Sequence, residues 1–159
     1  CEFALKRSSL EDMEEKFQRG FEDAEENGFY RAAVDYLLYT VRCYFLMYVE
    51  DPSDKGYIVR MEDHLQITEE WLEKHSFLDD QYRADYWYFY CLLLQLKGED
   101  TENALKKASY FSGRVNETSK YKKLKALLRN LEKIGASGSK IGNLDLEIGN
   151  FYNMIVSFC

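Results

Sequence analysis

The sequence predicts an all-α fold: six to seven antiparallel helices arranged as a short helical-repeat stack or bundle. Three observations carry the prediction. One proline, Pro52, stands in 159 residues, so almost nothing interrupts a helical ladder. Apolar residues recur at three- and four-residue spacing along most of the chain. Compact turn signals, Asn27-Gly28, Asp51-Pro52-Ser53-Asp54 and Gly98-Glu99-Asp100, punctuate that periodicity. The length suits one domain of about 100 to 200 residues. With 46% hydrophobic and 31% charged residues the composition is that of a soluble protein. No apolar run reaches the roughly 18 residues of a membrane span.

The first helix is expected to be capped by Ser9, with Met13, Phe17, Phe21 and Ala24 on its inner face. A second, from about Phe29 to Glu50, carries apolar or aromatic residues on most faces, as a helix packed between neighbours does. The third begins near Tyr57 and sets Met61, Leu65, Thr68 and Leu72 opposite an acidic face of Glu62, Asp63, Glu69, Glu70 and Glu73. The fourth, from about Asp79 to Lys97, is apolar all round between Tyr86 and Leu94 and is expected to be central. Thr101 or Asp100 caps a short fifth helix ending at a loop at Ser112-Gly113. A sixth, from about Ser119 to Ile134, has leucines on one side and Lys and Arg on the other.

This divides the chain into a helical domain over 1–134 (a hairpin at 9–50, helices at 57–97 and 101–134), a flexible connector at 135–140, and a terminal segment at 141–159. Ile141, Leu144, Ile148, Tyr152 and Ile155 fit a helix. Leu144, Leu146 and Ile148 followed by Gly149-Asn150 fit a hairpin equally well.

The net charge of -7 conceals an asymmetry. Residues 1–103 sum to -13, whereas residues 104–140 sum to +8. Such polarity steers charged partners or docks one copy on another. Of four cysteines, Cys43 and Cys91 lie in apolar helical stretches and the others end the chain, without a CxxC. That usage points to a reducing, cytoplasmic setting. No signal-peptide pattern opens the chain. It does not begin with Met, which fits a piece of something longer.

Phe17, Gly28, Ala33, Leu37 and Thr40 occupy the large, glycine, small, large and small positions of a helical hairpin. Trp87, Tyr90, Leu94, Gly98 and Ala104 repeat the pattern, the last after one extra residue. These hairpins resemble tetratricopeptide repeats, and Gly28 and Gly98 lie 70 residues apart, near twice the roughly 34-residue period. The resemblance implies a right-handed stack of hairpins whose inner surface takes a peptide or partner helix. The stretch from Gly28 to Tyr36, followed by a long apolar helix, is also similar to HEPN domains, bundles that cleave RNA or assist nucleotidyltransferases. Their nuclease signature places an Arg five residues before a His. Here Val59 and Glu70 hold those places before His64 and His75, so the resemblance implies at most an inactive relative.

Phosphate, dinucleotide, zinc, calcium and nucleophile-elbow motifs are missing, so no catalytic residue, metal ligand or cofactor is assigned. The expected function is a protein-interaction module. Its candidate contacts are an aromatic groove of Tyr36, Tyr39, Tyr44, Tyr82, Tyr86, Trp87 and Tyr90, and a basic helix bearing Lys120, Lys122, Lys123, Lys125 and Arg129. Tyrosines exceed what a dry core selects because each hydroxyl needs a partner. The expected partner is another protein or peptide, without membrane. Nucleic acid ranks behind, since the acidic body repels a polyanion.

Overall fold

A computed structural model describes residues 2–137, with side chains described from residue 9 to 129 and at Leu131. Its helices are α1 (Glu2–Glu26), α2 (Tyr30–Glu50), α3 (Gly56–Lys74), α4 (Asp80–Lys97), α5 (Glu102–Arg114) and α6 (Thr118–Ser137). The fold is an all-α bundle with packed neighbouring helices, and the described residues form no strand.

Local chemistry explains where the helices end. Gly28 and Gly98 sit at φ 72° and 71°, a conformation that costs an L side chain about 1–2 kcal/mol. At each, the following amide reaches back six residues' span in a Schellman closure: Phe29 N–H to the Ala24 carbonyl at 2.8 Å, Glu99 N–H to Leu94 at 2.9 Å. Asp100, rather than Thr101, caps α5, its Oδ1 accepting the Glu102 amide at 3.1 Å.

Three boundaries differ from the sequence expectation. Ser9 does not start α1, which extends back to Glu2 because no Gly or Pro stands before it. Ser112-Gly113 is not a loop. Both lie inside α5, and the turn comes at Asn116, which adopts φ 58° while Glu117 N–H bonds the Ser112 carbonyl at 2.8 Å. Asparagine tolerates the left-handed region, so it serves here as glycine does elsewhere. Helix α6 runs on through Gly135, Ala136 and Ser137, the first half of the expected connector. Residues 138–140 and the 141–159 segment lie outside the described residues.

Cross-helix contacts fix the topology. Glu14 meets Tyr44 while Phe17 meets Tyr39, so α1 and α2 are antiparallel. Similar pairs reverse α3 on α2 (Tyr44 with His64, Tyr30 with His75), α4 on α3 (Lys97 with Glu62, Tyr86 with Glu69) and α5 on α4 (Arg114 with Asp80, Lys107 with Trp87). The alternate helices α2, α4 and α6 lie side by side and parallel: Arg31 meets Asp79 and Arg42 meets Asp85, then Gln81 meets Glu117 and Asp85 meets Lys120. The chain therefore zigzags between an even and an odd row, an arrangement compatible with a helical repeat.

Helix α4 touches α2, α3, α5 and α6, as its all-round apolar segment predicts. Phe45, Leu38, Met61, Leu65, Leu92, Leu93 and Leu124 are fully enclosed. Each such side chain stabilises by about 1.5–3 kcal/mol relative to exposure. Gly20 makes room for the Tyr36 ring, which a Cβ there would meet at 2.5 Å.

Candidate functional site

The seven aromatic residues expected to form one groove do not share one. Tyr36 and Tyr39 pack on Phe17 in the α1–α2 seam, with ring centroids 6.3 and 5.2 Å away. Tyr44 is buried at the α1–α2–α3 junction and donates to Glu14 Oε1 at 2.7 Å. Tyr82 sits half-buried beside Asp35, and burial foremost, then that carboxylate, pushes its hydroxyl up. Tyr86, Trp87 and Tyr90 cluster with one another on α4, with Tyr86 and Tyr90 stacked at 5.8 Å. The cause is rotational. Helices α2 and α4 meet through Arg42, Asp85 and Phe89, with Tyr82 in the same seam beside Asp35, while Tyr86 turns to Glu69 of α3.

Of the α4 members, Tyr86 and Trp87 line a cleft. Helices α3 and α5 stand apart across α4, leaving an open cavity of about 360 Å³ lined by Glu69, Leu72, Glu73, Ser76, Arg83, Tyr86, Trp87 and Lys107. Its groups divide into satisfied and available. Tyr86 donates to Glu69 Oε2 at 3.2 Å; burial and that carboxylate raise its pKa far above the usual phenol. Arg83 is committed to structure, donating to the carbonyls of Leu78 (2.6 Å) and Ser76 (3.2 Å) and pairing with Asp80. By contrast, the Lys107 ammonium lies 4.4 Å from the Trp87 ring centroid, and neither it nor Glu73 makes an ion pair among the described residues. A cation over indole contributes about 0.5–1 kcal/mol when exposed. The cleft thus presents an aromatic wall, one unpaired cation and one unpaired anion.

The basic helix is partly internal. Lys120 is tied to Asp85 and Glu117 and lies over the Tyr88 ring, so it belongs to the α4–α6 junction. Lys122, Lys123, Lys125 and Arg129 are exposed. Lys125 and Arg129 also line a cavity of about 170 Å³ with Gln95, Thr101, Leu105 and Leu128.

Lys120 completes an ionic network that sequence reasoning missed. Asp85, only 8% exposed, faces Arg42 at 4.0 Å and Lys120 in close contact, while Gln81 donates to Glu117 at 2.9 Å. The Arg42 guanidinium lies 5.4 Å from both the Tyr39 and Phe89 centroids. Asp35 stands nearby, its pKa raised first by burial and then by Asp85, with Arg42 opposing. Arg42, Asp85 and Lys120 stand on three different helices, so no local spacing marked them.

Neither histidine presents a reactive face. His75 is buried between Tyr30 and Trp71, each 4.4 Å away, and its Nδ1 donates to the Trp71 carbonyl at 3.0 Å, since a carbonyl only accepts. His64 packs edge-on to Tyr44 at 5.0 Å, with its Nδ1 buried and unpartnered. Burial holds its pKa below the ordinary imidazole value, outweighing the Arg60 backbone contact and the Glu14 and Asp63 charges. As pH falls through about 6.5, the unfolded chain takes up a proton that the folded chain resists. The stability His64 contributes is thus present above that pH and lost below it. His64→Phe should flatten the decline in urea-unfolding stability below about pH 6.5; an unchanged slope would mean the decline has another source.

Burial pushes the Cys91 thiol up to about 12, and Cys43 is likewise buried. Among the described residues, no group of three or more His, Cys, Asp or Glu could hold a metal ion, and no helix is long and apolar enough to cross a membrane. No family model, curated protein or solved structure matches the chain.

Proposed function

We propose that the protein is a non-catalytic interaction module, an adaptor or scaffold, that seats a peptide or partner segment in the cleft between α3, α4 and α5. The observation that carries this is the pairing of an aromatic wall with two unpaired opposite charges, Glu73 and Lys107, in one open cavity. Such a cavity favours a segment bearing both signs: a cation for Glu73 and a carboxylate that competes for Lys107. The zigzag of helices, with the turns after α1 and α4 closed alike by Gly28 and Gly98, is compatible with a tetratricopeptide-like stack. The exposed cations of α6 offer a second contact for an acidic protein. Cys43 and Cys91, buried as small apolar side chains, support a reducing compartment. The RNA-associated alternative draws no support from the histidines: His75 is buried between rings and His64 packs against Tyr44.

Display of random peptides against the full chain tests the proposal. Enriched peptides should bind wild type and lose roughly tenfold or more in affinity to Glu73→Arg and to Lys107→Glu, both surface changes that leave packing intact. Selection that enriches nothing, or peptides indifferent to both reversals, would remove the cleft as the binding site.

A further inference from the structure

The end of the bundle formed by the α1–α2 and α3–α4 turns breaks three local rules at once. Phe29 occupies the N-cap position of α2 and makes no side-chain cap, where Ser, Thr, Asp or Asn would contribute about 1 kcal/mol. It is not buried either, being 64% exposed. Phe77, in the turn between α3 and α4, is also 64% exposed, and Tyr30 is 41% exposed. The Tyr30 and Phe77 rings meet edge to face at 5.8 Å above a base of Trp71 and His75, with exposed Phe29 next to Tyr30 in the chain. The third departure is electrostatic. The C-terminal turns of α1 carry Glu22, Asp23, Glu25 and Glu26, all exposed, with no basic residue in the last turn. A helix C-terminus favours cations by about 0.3–1 kcal/mol each, so these carboxylates stand against the dipole. Nearby, Arg31 is already paired with Asp79 at 3.7 Å. Local rules broken without an internal gain mark a surface built for something outside the molecule.

We propose that this aromatic end docks a cationic amphipathic segment of another protein. Its apolar residues rest on Phe29, Tyr30 and Phe77, and its Lys or Arg side chains meet the carboxylates of α1. Charge complementarity selects the occupant. An anionic lipid surface is repelled by the same carboxylates. The α6 helix of a second copy supplies cations but turns its leucines Leu124, Leu127 and Leu128 inward, so it lacks an apolar half to offer.

Trp71 lies under this patch and Trp87 in the cleft, and they are the two tryptophans of the chain. Their indole N–H resonances therefore report the two surfaces separately. The full chain is titrated with an amphipathic peptide of about 18 residues made of Leu, Phe and Lys, and with its Glu-for-Lys counterpart. The Lys peptide should move the Trp71 indole and leave Trp87 in place. Phe29→Ser with Phe77→Ser should weaken it roughly tenfold or more, whereas Val59→Ser, an exposed apolar control elsewhere, should not. Glu25→Lys with Glu26→Lys should invert the preference between the two peptides, a result misfolding cannot mimic. Equal binding of both peptides, binding of neither, or a shift of Trp87 instead would overturn the proposal. So would a wild-type dimer in sedimentation that dissolves in the Phe29/Phe77 variant, since it would give the patch to a second copy.

Discussion

Replacing Asp85 by alanine is expected to remove about 3 kcal/mol of stability, because it takes the carboxylate from the buried Arg42 and from the half-buried Lys120. The Asp85 and Arg42 side chains are 11% and 13% exposed, so water gives little relief. Lys120, at 31%, keeps only Glu117 as a partner. Arg42 already has a buried Nε without a hydrogen-bond partner, and only the more distant Asp35 carboxyl faces it when Asp85 goes. In urea the midpoint should fall by about 1 M with an unchanged slope. Adding Lys120→Ala to Asp85→Ala should recover part of the loss, as coupled charges do in a double-mutant cycle. Additive losses would mean that the two side chains act independently and that the network does not join α4 to α6.

Phe89→Ala is expected to cost about 4 kcal/mol. The ring is 2% exposed, packs edge-on to Tyr88 at 5.3 Å and lies beneath Arg42, so truncation opens a cavity in the α2–α4 seam and strips the guanidinium of one face. For a domain of this size the melting temperature should fall by about 10 °C. The comparison that sharpens this is Phe29→Ala, expected to change stability by no more than about 0.5 kcal/mol. One phenylalanine holds the fold and the other does not. A melt in which both cost alike would make Phe29 a structural residue and take away the reason for a docking surface at that end.

Much of the fold was legible because helix ends are written locally. Asn27-Gly28 and Gly98 mark their turns by a left-handed backbone that glycine alone adopts freely, and the proline-poor apolar period fills the spans between. Gly113 misled for the complementary reason. A glycine inside a helix costs only about 1 kcal/mol and does not stop it, while Asn116 takes the left-handed turn instead. The site was legible in part. Trp87, Tyr86 and Tyr90 were recognisable as a cluster on one helix, but helices α2 and α4 are apolar on most faces and so carry no single inward direction. Which neighbour each ring meets follows from their parallel packing through Arg42 and Phe89, and periodicity within one helix cannot encode that. Phe29 left a signal that went unused: an aromatic directly after a turn-closing glycine, at a cap position, has no role in the helix it begins.

The most direct test of the interaction-module account is a titration of the full chain with a peptide selected against the cleft, followed at the two indole N–H resonances. The expected result is a saturable shift of Trp87 that disappears in Glu73→Arg, with Trp71 unmoved. A peptide that binds while Trp87 stays in place, or a Trp87 shift that persists in Glu73→Arg, would contradict the assignment of the α3–α4–α5 cleft as the protein's binding site.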